Sequence, residues 1–267
     1  MLEACAVHSL MDPTRQVAML SVGGPGTGTT WSAMPAGLED AIDDVHFVTM
    51  TGLRFLTLQV PAGTRCAMPK SDHKQDGEQC GLCVDTLGLH FHNCGAGAAR
   101  LRPHRAFLVR LASQLRKAGA HTDLERHCPN LYGLNTDGSV REAILDIVSV
   151  WPGCPVAHAI DVTIRSAFSS HRYADSIPGC AAAAGERSKY SRYGHSVYPI
   201  SIETLGRMGQ KSQDSLRALL SVASIWGKYA LYRVWRRFIE FAVLWELADA
   251  VLVALGGPQA WWRSLAR

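Results

Sequence analysis

The sharpest chemical signal in the chain is Cys80-x2-Cys83-x6-His90-x3-Cys94, four soft or borderline metal ligands in one short stretch. Zinc takes four such ligands in a tetrahedron, and a CxxC turn puts two thiolates on one ion while His and Cys close it from the far side. Cys66 and His92 are alternative ligands, with His90 preferred because its spacing to Cys94 suits a zinc knuckle. Isolated reduced thiols would instead fill a small core. That second reading is the one given to Cys5, Cys128, Cys154 and Cys180, which have no ligand-spaced neighbours.

A second constellation is built from acids. Asp146 interrupts the apolar run Ala143–Val148, and Asp161 interrupts a second run, Ala159–Ile164. A carboxylate flanked by apolar strand residues is costly to bury without a partner. Two on adjacent strands call for a shared cation, and oxygen-only ligation suits Mg2+ or Mn2+, which activate water and stabilise charge on a phosphodiester. Lys189, on the helix that follows, is placed to hold the attacking water or the pentacovalent phosphate, with Tyr190 or Tyr193 beside it. Glu125 is a candidate third acid. The competing reading makes Asp146 and Asp161 ordinary strand-edge residues paired with Arg141 or Arg165, and the pattern of residues leaves both open.

The elements that must position these groups follow from periodicity. A helix is expected around Gly37–Met50, and Phe107, Leu108, Leu111 and Leu115 predict another over Pro103–Ala118, stopped by Gly119. Next come a short run at Thr122–His127, a turn over Asn130–Gly138, and strand-like runs at Ala143–Val150 and Val156–Ile164, separated by a Pro/Gly turn. A helix-permissive segment, Ala181–Tyr193, leads to a last strand at Val197–Glu203, and Ser212–Leu255 is helical in pattern. This order predicts an α/β fold with one mixed sheet flanked by helices. The organisation reads as an N-terminal helical or linker segment (1–64), a Cys/His module (65–99), an α/β core (100–211) and C-terminal helices (212–267). Within the last of these, Trp226, Tyr229, Val234, Phe238, Phe241 and Leu244 read as a core helix with a solvated basic face.

At 267 residues and 47% hydrophobic, the chain is long and apolar enough for a buried core and is not a disordered tail. Its net charge of +4 names no partner, but the distribution does: residues 86–122 hold six bases and no acid. Arg100, Arg102, His104 and Arg105 are the candidate phosphate contacts on the basic helix. No membrane span is expected, because Phe238–Leu255 contains Glu240, Glu246 and Asp249. Met1–Gly23 lacks the pattern of a secretory signal, so the expectation is an intracellular protein, and a nuclear one if it cuts DNA. Val22–Thr30 (VGGPGTGTT) approaches a phosphate-binding loop but has Thr29 where the lysine belongs, and no G-x-S-x-G elbow occurs.

Taken in order, these pieces resemble the C-terminal region of non-LTR retrotransposon proteins that carry a restriction-like endonuclease downstream of their reverse transcriptase. The resemblance runs from about Gly23 to Gly209. It rests on Gly24–Pro35 with Trp31, Phe47–Leu58, Cys80–Cys94, Arg102–Arg105, Glu125, Asp146, Asp161-Val162-Thr163, Lys189-Tyr190 and Ile202–Gly206. It implies a PD-(D/E)xK nuclease fold in which Asp146, Asp161 and Lys189 are catalytic, Glu125 is auxiliary, and the zinc module helps to grip DNA or element RNA. Two departures stand out: Ala143-Ile144-Leu145 precede the first strand acid where the family has Arg-Pro or a similar pair, and Thr163 stands where the usual motif has lysine. No polymerase core is present, so the chain reads as the tail of such an element. The function so implied is metal-dependent DNA nicking, the alternative being a catalytically inactive, zinc-stabilised nucleic-acid-binding remnant.

Overall fold

The structure is a computed structural model that describes residues 12–22, 43–57, 59–70, 78–134, 137–168, 177–222, 243, 245–254 and 257. The Gly-rich segment 24–35 with Trp31, the aromatic run from Trp226 to Phe241, and Trp261, Trp262 and Arg263 lie outside the described residues.

Helices α1 (Pro13–Val22) and α2 (Asp44–Phe55) come first. The sequence pattern did not anticipate α1. Helix α2 begins where Asp43 accepts the His46 N–H at 2.9 Å, and it ends at Leu56 in the left-handed conformation. It outruns the expected Gly37–Met50 because its buried stripe, Met50 and Leu53, continues past Met50. A one-turn helix α3 (Leu89–Asn93) precedes the long α4 (Gly97–Lys117). Pro103 was expected to open that helix, yet α4 starts six residues earlier, with Ala96 and Ala99 packed in the core. Its stripe of Phe107, Leu108, Leu111, Ala112 and Leu115 is almost fully buried, as the spacing predicts.

Four strands follow in sheet order β1-β2-β3-β4: β1 (His121–Leu134), β2 (Val140–Val150), β3 (His158–Arg165) and β4 (Tyr198–Glu203). The β1/β2 and β2/β3 pairs are antiparallel and β3/β4 is parallel, so helix α5 (Cys180–Tyr193) makes the crossover. Strand β1 runs through the expected turn at Asn130. Its register shifts between Cys128 and Tyr132, which accommodates Pro129, a residue without an N–H to give the ladder. Helix α6 (Gln210–Val222) follows β4, and residues 245–254 are helical. Among the described residues no helix is long and apolar enough to cross a membrane. The fold is therefore α/β, with a four-stranded mixed open sheet flanked by helices.

One apolar cluster joins α2, the Cys/His segment, α4, the sheet, α6 and the terminal helix, through residues such as Leu53, Phe91, Leu111, Ile160, Leu216 and Val251. The segments expected as separate units thus share a core. Alternation along the strands turns Ile160 and Val162 into that core and leaves Thr163 and Ser201 facing α5. There Gly185 is required, because a Cβ would lie 2.2 Å from Ser201 Oγ and 2.7 Å from Thr163 Cγ2. Two buried acids fasten the helices, one from the sheet and one from helix to helix. Glu203 accepts the Ala181 and Ala182 N–H groups at the start of α5 and the Ser21 hydroxyl of α1. Glu186 accepts both the N–H and the hydroxyl of Ser212 in α6, each at 2.7 Å.

Replacing Gly185 by Ala is expected to lower unfolding free energy by about 1–3 kcal/mol, since the new methyl has only packed side chains to displace. Urea denaturation of the two proteins measures it; an unchanged midpoint would contradict this packing.

Candidate functional site

The β2/β3 ladder pairs Ser149 with His158, Val148 with Ala159, and Ile147 with Ile160. One step further in the same register Asp146 would face Asp161, but the ladder has ended. Asp146 Oδ2 takes over one ladder donor, accepting the Val162 N–H at 2.6 Å. The two carboxyl groups meet at this opening and touch one another.

Each acid meets a basic side chain from a different helix. Lys189 Nζ, one helical turn beyond Gly185, lies 2.8 Å from Asp161 Oδ2. His104 Nε2 of α4 lies 3.3 Å from Asp146 Oδ2. Arg141 and Arg165, the arginines expected to pair with these acids if they were ordinary strand residues, do not fill that role.

The electrostatics split the pair. Burial raises the Asp161 carboxyl, contact with Asp146 raises it further, and the opposing pull of Lys189 leaves it at about 7. Burial also pushes Asp146 upward, but its hydrogen bonds with His104 and Asp161 outweigh this and hold it at about 2. Burial alone would lower His104, yet the Asp146 carboxylate reverses the sign and raises it. The site thus keeps one carboxylate ionised beside one that retains its proton toward neutrality, the division of roles that acid–base and metal chemistry exploits.

The other candidates fall at different distances from this centre. Glu125 lies between Leu124 and Arg126, which pair with Ile147 and Leu145, so it occupies the β1 position across from Asp146, but its side chain is exposed. Its φ of 50° is unusual for a residue with a side chain. Tyr193 is buried in a second core with Ala143, Leu145 and Val148, and burial raises its phenol. Arg100 and Arg105 are exposed on α4, whereas Arg102 is 3.6 Å from Asp249 of the terminal helix. His104, grouped by sequence with these phosphate contacts, belongs to the acidic pair instead. Its position three residues before Phe107 on the buried stripe is the signal that marks it as inward-facing.

The second cluster comprises Cys66, Cys80, His90 and Cys94, whose ligand atoms all lie within 4.8 Å of one another and could hold a metal ion. Here the structure corrects the CxxC reading: Cys83 is exposed, its backbone bridges Arg65, and Cys66 takes the fourth position. The chain doubles back so that Cys66 N–H donates to Leu82 O, Gly81 N–H to Cys66 O, and Cys80 N–H to Met68 O. This sets Cys66 and Cys80 on adjoining segments. Asp85 accepts the N–H groups of Leu87, Leu89 and His90, fixing the turn that presents His90. Burial pushes the Cys66 thiol up to about 12 and raises Cys94, while burial lowers His90 and keeps its imidazole neutral. His92 faces away from the cluster; its Nδ1 is 3.0 Å from Thr204 Oγ1.

The linkage of Asp161 has a definite sign. Between about pH 4 and pH 7 the folded state holds a proton on Asp161 that the unfolded chain has lost, so stability falls as pH rises through this window. Asp161→Asn is expected to flatten that part of the stability curve, as measured by thermal unfolding from pH 4 to pH 8. Parallel curves for the two proteins would remove the assignment. Comparison of the chain with protein-family models and with curated proteins, and of its structure with solved structures, finds no match.

Proposed function

We propose that this chain is a retroelement-derived, metal-dependent DNA endonuclease built on a restriction-endonuclease-like core. The observation that carries the reading is the meeting of Asp146 and Asp161 where β2 and β3 part, with Lys189 2.8 Å from one of them. Hard oxygen donors of this kind suit Mg2+ or Mn2+. The two carboxylates would hold that ion, and when bound it supplies Lewis-acid stabilisation of a phosphodiester and a more acidic water. To serve as a ligand Asp161 would release its proton to solvent, and an ion bound there would compete with Lys189 for the carboxylate. Lys189 would then be placed to stabilise charge on the phosphoryl oxygens. His104 holds Asp146 ionised and oriented in the meantime. The element order α4-β1-β2-β3-α5-β4, with the acids on two central strands and the lysine on the crossover helix, is consistent with the family that the sequence resembles.

The reading predicts nicking of supercoiled plasmid by the full chain with Mg2+ or Mn2+, lost by at least about a hundredfold in Asp146→Ala, Asp161→Ala and Lys189→Ala. No nicking by the wild type, with salt-sensitive DNA binding intact, would leave the binding-module remnant as the function.

The soft-ligand cluster we read as structural zinc. Tetrahedral bonds of about 2.3 Å to sulfur and 2.0 Å to nitrogen require ligand separations of about 3.8 Å between sulfurs and 3.5 Å between sulfur and nitrogen. Cys66 and Cys94 sulfurs are 3.7 Å apart, and Cys80 Sγ is 3.5 Å from His90 Nε2. Purified protein is expected to hold about one equivalent of zinc by elemental analysis. Cys66→Ser should lose it and Cys83→Ser should keep it; the reverse result would restore the CxxC ligand set.

A further inference from the structure

Beside the acidic pair lies a cavity of about 1200 Å³, walled by α1, by α3 and the start of α4, by the end of β3, and by Val243 and Leu247 near the C-terminus. His104 connects the two sites, since it lines the cavity and also touches Asp146. Three features of the wall point to one class of ligand. No described lining residue is acidic, while Arg100, His104 and Arg165 are all basic. Phe168, half-buried on the wall, offers an aromatic ring set edge-on to His92, with 5.1 Å between centroids, and its N–H donates to Ser166 Oγ at 3.1 Å. Two buried nitrogens of wall residues, Arg165 Nε and His92 Nε2, have no hydrogen-bond partner, although His92 is only 6% exposed. Such groups are normally satisfied, and an arginine donor is suited to a phosphate oxygen.

The size narrows the class. The volume exceeds the roughly 300–1,000 Å³ typical of small-molecule sites. It equals a cube about 11 Å on a side, far narrower than a whole duplex, whose major groove alone is roughly 12 Å wide. The space therefore suits several linked nucleotides of one strand and excludes a double helix. Alternating cations and an aromatic face are what sequence-tolerant single-strand binding uses: charge tracks the backbone and bases stack.

We propose that the cavity receives an unpaired polynucleotide strand, phosphates against Arg100 and Arg165 and a base against Phe168, so that the substrate is DNA with a single-stranded flank beside the phosphate to be cut. The part concerning cutting rests on the nuclease reading; strand capture does not.

The test is fluorescence anisotropy with the full-length, zinc-loaded chain and no added Mg2+ or Mn2+, comparing a blunt duplex with the same duplex bearing a six-nucleotide unpaired tail. The tailed duplex is expected to bind at least about tenfold tighter. Ala99→Phe, which fills the cavity without altering charge, should abolish that preference while blunt-duplex binding persists. Arg100→Gln, at an exposed position, should weaken tail binding and reduce its salt dependence. Equal affinity for tailed and blunt duplexes, or a preference that survives in correctly folded Ala99→Phe, would overturn the proposal. Because Ala99→Phe could fail to fold, tails carrying 4-thiothymidine are also crosslinked to the wild type. Adducts on the cavity wall, within residues 13–17, 89–104, 162–168, 204, 243 or 247, support the cavity, and adducts confined elsewhere refute it. A preference carried by a DNA tail supports the proposal, whereas one carried by an RNA tail alone overturns the DNA flank. Nicking is scored separately with Mg2+, so a failed nuclease with an intact tail preference, or the converse, is distinguishable.

Discussion

Two carboxyl groups buried against each other are unstable unless something neutralises them, and much of this fold is arranged around that requirement. The β2/β3 ladder stops one residue short of the pair, which opens the space the carboxyls occupy and lets Asp146 accept the Val162 N–H. The basic side chains that offset them arrive from elements on both sides of the sheet. His104 is delivered by the helix whose stripe packs on Ile160 and Val162, and Lys189 by the helix lying on Thr163 and Ser201. Glycine at 185 brings the second helix close enough for a lysine one turn later to reach the strand.

Among the described residues, the α/β core holds four buried or half-buried acids, and their partners separate structure from chemistry. Glu186 and Glu203 are satisfied by backbone N–H groups and serine hydroxyls, which do not titrate and hold helix ends in place. Asp146 also takes the Val162 N–H, but its other partners, like those of Asp161, are the facing carboxyl and an ionisable side chain. Partners of the first kind make a clasp. Those of the second make a site whose charge responds to a proton, a cation or a phosphate.

Much of this was legible in the residues. Apolar runs and the 107-108-111-115 stripe located the strands and the main helix, and the acids interrupting two such runs located the candidate centre. The failures have physical causes. Spacing within a CxxC motif says nothing about a cysteine fourteen residues upstream, so the exchange of Cys83 for Cys66 depends on a pairing of chain segments that only the fold supplies. The basic residues of α4 look alike in sequence, yet helical phase turns Arg105 to solvent and His104 toward Asp146, while Arg100, one turn before His104 on the same face, stays exposed near the helix start. Helix α1 is held by tertiary partners, the Ser21–Glu203 hydrogen bond and the burial of Ala18, which local pattern does not reveal.

Strand β1 is long and, among the described residues, is paired on one side only. A straight edge of that length would be a template for another chain, through its unused N–H and C=O groups. Two irregularities interrupt it: the left-handed backbone at Glu125 and the register shift that accommodates Pro129. Each bends the row of edge groups out of line, and proline removes a donor outright. The strand next to the acidic pair is thereby kept from zipping onto a neighbour, so the same kinks that shape the sheet also protect the protein against aggregation.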